Sequence, residues 1–207
     1  MSEVMIEEAD DLELRWPKAN DRIFVEAPSF QGAWTAKRTD ERLYRMIKGF
    51  HEAGDLLVDE SLTNPHRARD LLYPAIFSYR HGIELQLKYL LMAYGPLAGE
   101  APNFRSHGLR ELWVACRRLI MRLEGKEEPS DKEAFDAVDA QIAEFDSVDS
   151  GSDAFRFAHD KRGGAIKLPI NEIDLSNLRA VVASLRNFLE CVDCYLHYGC
   201  GIPHCAH

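Results

Sequence analysis

Phe77-Ser78-Tyr79-Arg80-His81-Gly82-Ile83-Glu84-Leu85-Gln86-Leu87-Lys88-Tyr89-Leu90-Leu91 decides how this chain is read. Apolar residues step through and beyond it by three or four, at Leu72, Ile76, Tyr79, Ile83, Leu87, Leu90 and Tyr94. That spacing draws one narrow stripe along a long helix. Arg80, His81, Glu84 and Lys88 sit among these apolar neighbours, where ionisable groups are costly unless they are paired or functional. Arg80 and Glu84 fall at the border of the stripe. His81, Leu85 and Met92 fall on its far side, so that face must be covered as well, by another helix or by a second subunit. This is the expected central helix.

Working outward, Asn64 and Pro65 read as its N-cap and first helical position, and it is expected to reach about Tyr94, with a kink at Pro74. An earlier helix is expected from Thr39, as N-cap, to about Leu62, carrying Leu43, Ile47, Phe50, Leu57 and Val58. A third fits Ser106 to about Leu123, with Leu109, Leu112, Trp113, Cys116, Leu119 and Ile120 on one face. Ser130 and Glu133 have capping-box spacing for a fourth, ending near Phe145. Asp146 to Leu168, broken by Gly151, Gly163 and Gly164, reads as a long loop, and such loops are commonly functional or disordered. The last helix is expected from Asp174 or Ser176 to Tyr198-Gly199.

The expectation is therefore an all-α bundle of four to five helices over residues 37–198, with a long loop before the last helix. Residues 1–36 read as an irregular acidic arm, with a short extended piece at Arg22 to Ala27. Trp16, Phe24, Phe30 and Trp34 are expected to anchor it. Residues 199–207 form a tail rich in Cys and His.

Composition limits the partners. The chain has 207 residues, 46% of them hydrophobic, enough for one sizeable core. Its 25 basic and 34 acidic residues leave a formal charge of -9, which argues against a general coat for nucleic acid or an anionic membrane. The longest apolar run, Tyr89 to Tyr94, is too short to span a bilayer. Met1 to Asp11 has neither the basic start nor the apolar core of a secretory signal, so a cytoplasmic protein with reduced cysteines is expected. There is no Walker loop, no GxGxxG after a strand, no His-Glu-x-x-His and no Gly-x-Ser-x-Gly.

Three segments carry the candidate chemistry: Arg80-His81-x-x-Glu84-x-x-x-Lys88-x-Leu-Leu; Ser106-His107-x-Leu-x-x-Leu-Trp113; and Phe155-Arg156-Phe-x-x-Asp160-x-x-Gly163. Over roughly residues 40 to 198 this pattern resembles bacterial HEPN-like helical proteins. The resemblance implies a helical bundle, often a homodimer. Many of its members are metal-independent ribonucleases in defence or toxin-antitoxin systems, and others are noncatalytic nucleotide-binding or protein-interaction modules. The family's ribonuclease signature, an Arg and a polar residue followed by a His near the start of a late helix, is incomplete here. Arg186-Asn187 matches its opening, but no imidazole follows near Cys191 or Val192. Arg45 to His51 matches the spacing on the first helix, where it easily arises by chance.

Cleavage of RNA without a metal needs a base, an acid and a cation beside the phosphate. In that reading His107 exchanges protons, Arg156 binds phosphate, Glu84 orients Arg80 and Asp160 completes the cluster. Lys161 and Arg162 would meet the nucleic acid. The structural alternative makes Arg80-Glu84 an i,i+4 ion pair and His107 a donor to a nearby carbonyl. It yields a noncatalytic interaction or dimerisation domain with a partner protein in place of RNA or nucleotide. Separately, Cys191, Cys194, Cys200 and Cys205, with His197, His204 and His207, have the donor types for a structural zinc. Buried or frayed free thiols are the plain alternative.

Overall fold

The computed structural model describes residues 16–26, 33, 35–101, 103–124 and 132–200. The described residues are all-α, with five helices: α1 (Thr39–Thr63), α2 (Ala68–Ala98), α3 (Leu109–Glu124), α4 (Lys132–Val148) and α5 (Leu175–Gly199). Among the described residues there is no strand, only an isolated antiparallel bridge between His159 and Ala165. No described helix is long and apolar enough to cross a membrane.

Backbone contacts divide the chain into two units, Met1–Thr35 and Ala36–His207. In the first, residues 18–21 form a turn in which the Asp21 amide donates to the Lys18 carbonyl and the Lys18 amide donates to the Asp21 carboxylate, each at 2.9 Å. Residues 22–26 are irregular, not extended strand. Of the aromatic residues expected to anchor the arm, Trp16 and Phe24 are exposed, and Phe30 and Trp34 lie outside the described residues.

In the second unit α2 is the axis, packed against α1, α3 and α5. Six of its seven predicted stripe residues are buried, from Ile76 to Tyr94, and Leu72 is half-buried. The far side is covered by α1, with the Phe50 ring edge-on to His81 at 4.5 Å between centroids. Two glycines permit this close α1–α2 approach. A Cβ on Gly54 would lie 2.5 Å from the Tyr79 ring, and one on Gly82 would lie 3.0 Å from the His51 ring.

The opposite side is an apolar core joined by α3, α4 and α5. Trp113, Phe135 and Phe188, one from each helix, form an aromatic cluster with centroids 5.4–6.1 Å apart. Asp139 of α4 accepts the Trp113 indole N–H at 2.5 Å and pairs with Arg117 of α3. Tyr94 of α2 donates to Asp193 Oδ1 of α5 at 2.6 Å.

Helix ends depart from expectation at three of the proposed N-caps. Thr39 is the first helical residue of α1 and the N-cap is Arg38, without a side-chain cap. Asn64 closes α1 as its C-cap, and its carbonyl accepts the Arg67 amide, so Asn64-Pro65 builds the turn between helices and α2 starts at Ala68. Helix α2 runs through Pro74 and Pro96 to stop at Gly99, whose φ of 69° is the left-handed cap conformation glycine favours. Ser106 does not cap α3: its hydroxyl donates to Glu111 at 2.6 Å, and the helix begins at Leu109. Asp174 does cap α5, accepting the Asn177 amide at 3.0 Å. Ser130 lies outside the described residues.

Candidate functional site

Arg80, Glu84 and Lys88 follow one another at i, i+4 and i+8 on α2, which brings them onto one face. That face points at two places where the backbone leaves helical geometry: residues 104–107 before α3 and residue 149 after α4. Their carbonyls are free of any helical ladder and turn to the cations. Arg80 makes four hydrogen bonds: Nε and Nη2 to the Asp149 carbonyl at 3.2 and 3.0 Å, Nη2 to the His107 carbonyl at 2.8 Å, and Nη1 to Glu84 Oε2 at 3.3 Å. The Asp149 carboxylate Oδ2 lies 3.4 Å from Nε as an ion pair. Lys88 Nζ donates to Glu84 Oε1 at 2.8 Å and to the Phe104 carbonyl at 3.3 Å.

The result is a charge-balanced set, two cations against two carboxylates. Arg80 and Glu84 are 0% and 1% exposed. Burial by itself would raise the Glu84 carboxyl, but the hydrogen bond and charge of Lys88, then those of His107, outweigh it and hold the group below its usual range. His107 joins from the rim: its Nδ1 is 3.0 Å from Glu84 Oε1 while 55% of its side chain is exposed.

Of the five residues expected to act together, Arg80, Glu84 and His107 do meet, and Arg156 and Asp160 do not join them. Arg156 is exposed and lies over two rings, with its guanidinium carbon 5.7 Å from the centroid of Phe77 and 4.8 Å from that of Phe157. Phe77 in turn stacks on His81 at 5.6 Å. Asp160 organises a separate turn: its Oδ1 accepts the Arg162 and Gly164 amides at 2.8 and 2.9 Å, and its backbone pairs with Gly163 and Gly164. The carboxylate is occupied locally because the Asp-Lys-Arg-Gly-Gly run makes an Asx-type turn. Lys161 and Arg162 are exposed on that turn, with Lys161 3.9 Å from Asp153.

The residue that sequence reading missed is Asp149. Besides facing Arg80, its Oδ1 accepts the Asp153 and Ala154 amides at 2.8 and 3.0 Å, folding residues 149–157 into a compact turn. Ser152 in that turn is buried and takes a φ of 62°, unusual for a residue with a Cβ. The available signal was an Asp followed by Ser-Gly-Ser-Asp immediately after a helix.

A second polar group lies on the α1 side. Arg45 and His51 do not act as a pair: Arg45 is exposed beside Glu41, and His51 is buried against Gly82. Neither His51 ring nitrogen has a hydrogen-bond partner among the described residues, nor does Oε1 of neighbouring Gln86. Burial, then the charge of Arg186, hold the imidazole down at about 4. Arg186 itself pairs with Asp55 at 3.3 Å, and Asp55 accepts the Tyr79 hydroxyl at 2.7 Å.

The chain matches no protein-family model, no curated protein and no solved structure. Among the described residues no group of three or more His, Cys, Asp or Glu could hold a metal ion. Cys191 and Cys194 are exposed on α5 and Cys200 is its C-cap. Cys205, His204 and His207, on which a zinc site would also depend, lie outside the described residues. Cys116 is a core thiol that burial pushes well up, and it donates to the Leu87 carbonyl.

Proposed function

We propose that this chain is a noncatalytic, HEPN-like interaction module whose polar cluster serves to lock two loop segments onto α2. One observation supports this above others: the Arg80 guanidinium is wholly buried and spent on backbone carbonyls and two carboxylates. A phosphate-binding cation needs an open face, and a cation in this position has none to offer. Arg156, which is exposed, stands over Phe77 and Phe157 and is no part of the His107–Glu84 pair.

His107 favours a second reading. Its imidazole is oriented by a carboxylate through Nδ1 and half-exposed, the arrangement a general acid or base requires. In that reading the module is directed at RNA, with His107 exchanging protons.

The experiment is incubation of the purified protein with end-labelled transfer and messenger RNA in EDTA, alongside His107→Ala and Arg156→Ala. The interaction module leaves the RNA intact. Cleavage by the wild type, lost in a well-folded His107→Ala, replaces it with the ribonuclease. Sedimentation velocity tests the homodimer that the HEPN resemblance implies.

A further inference from the structure

A cavity of about 230 Å³ opens where the end of α4, the segment 168–174 and the first two turns of α5 converge. Its floor is buried and apolar: Ile76 of α2, Phe155 of the Asp149 turn and Val182 of α5. Half-buried Phe145, Val148, Leu168, Ile173, Leu178 and Val181 form its walls. Gln141, Glu144, Glu172, Asp174 and Asn177 also line it, so the space is an apolar pit with a polar rim. An apolar cavity of about 150 Å³ takes up benzene, so on that scale this one accommodates roughly nine non-hydrogen atoms.

Its mouth is of one sign. Glu144, Glu172 and Asp174 are exposed there, and among the described residues no Lys, Arg or His lines the cavity. Glu144 and Glu172 make no ion pair among the described residues, and Asp174 spends one oxygen on the α5 cap. Helix α4 also ends at this point with no basic side chain in its last turn, so its carbonyl end adds negative potential. The positive end of α5 is already answered by Asp174. The walls offer no donor set for a bare metal ion, and an anion would meet three carboxylates.

We propose that this cavity binds a small arylalkyl ammonium, its ring in the apolar pit and its cationic head among Glu144, Glu172 and Asp174. Apolar burial supplies most of the affinity and the carboxylates select the charge. The site does not include the Arg80 cluster, so its test and that of the interaction reading are independent.

The probe is 2-phenylethylammonium, followed by methyl-resolved NMR and compared with neutral 2-phenylethanol and anionic phenylacetate. The ammonium is expected to shift the methyl resonances of Leu168, Ile173 and Val181. The alcohol should bind about tenfold more weakly and the anion not measurably. Glu144→Gln with Glu172→Gln should also weaken ammonium binding about tenfold, about threefold for each exposed charge, without a change in melting temperature. Val181→Phe should fill the pit and abolish the shifts. No shifts, equal binding of all three probes, or binding that the double Gln variant leaves unchanged would each overturn the proposal. Preference for a Lys-Trp-Lys peptide over the free ammonium would overturn it in favour of a basic peptide as the occupant.

Discussion

Helix α2 buries polar side chains on two flanks, and the flanks solve the same problem differently. Towards α3 and α4, Arg80, Glu84 and Lys88 are buried and paired. Towards α1, His51 and Gln86 are equally buried and adjoin each other, yet among the described residues neither His51 nitrogen nor Gln86 Oε1 makes a full hydrogen bond, and Gln86 Nε2 reaches only the Arg186 carbonyl at 3.3 Å. The difference lies in what faces them. Arg80 and Lys88 meet loop backbone, whose carbonyls are not engaged in a helical ladder and are free to accept. His51 meets α2 side-on at Gly82, in the middle of a helix whose backbone is engaged in its own ladder. Between helices the backbone offers only carbonyls that already serve their own ladder, as that of Arg186 does to Gln86 Nε2 at 3.3 Å and that of Leu87 does to Cys116, whereas a loop can present a free one.

The sharpest break in this comparison is Arg80→Ala. It leaves Glu84 with Lys88 and the rim His107 only and leaves the Asp149 carboxylate buried without a cation, so a loss of about 3–5 kcal/mol is expected. For a domain of this size that lowers the melting temperature by about 10 °C. Calorimetry checks it, and a fall of only a degree or two would show that the network does not hold the loops. His51→Leu should behave in the opposite way at pH 7. It removes a buried, unpartnered ring and is expected to leave stability unchanged or slightly raised.

Acid sharpens the contrast further. The His51 imidazole titrates near 6.5 in the unfolded chain and near about 4 in the folded one. Between these values the unfolded state holds the extra proton, so the stability contributed is complete above pH 6.5 and declines as pH falls towards 4. The size is roughly 2–3 kcal/mol. Urea midpoints at pH 7 and pH 5 should differ clearly in the wild type and less in His51→Leu, where His81, also held below its ordinary value by burial, keeps the remainder. Glu84, held below its usual range, adds a loss only as pH falls below about 4.5, the unfolded carboxyl's region. A pH dependence as large in His51→Leu as in the wild type at pH 5–7 would assign it to His81 instead.

How much of this was legible in the sequence follows from the range of the interactions. The stripe from Ile76 to Tyr94 and the core of α3 are set by three-and-four periodicity, a local signal, and both are buried as read. The Arg80–Glu84–Lys88 spacing is likewise local. Helix starts were less legible, because Thr39, Asn64 and Ser106 are all acceptable caps, and at Ser106 a carboxylate five residues on competes for the hydroxyl. Asp149 could not be read as a partner of Arg80, 69 residues away, since nothing short of the packed α4 carries it there. Arg156 and Asp160 were misassigned for the converse reason. Charge in a loop looks available, but an Asx-type turn and an aromatic pair had already claimed it.

The smallest expected effects come from the rim. His107→Ala removes a half-exposed partner of Glu84 while Lys88 and Arg80 remain, so a loss of about 1 kcal/mol is expected. Arg156→Ala removes an exposed cation from the faces of Phe77 and Phe157, worth about 0.5–1 kcal/mol, or roughly 2 °C. The ranking matters more than either number. If the turn at 149–157 is held by Arg80 and Asp149 from beneath, taking Arg156 from its outer surface should leave proteolysis within the loop as slow as in the wild type. Limited proteolysis of Arg156→Ala beside Arg80→Ala measures this, and rapid cutting in both would mean that the outer aromatic contact, not the buried ion pair, closes the loop.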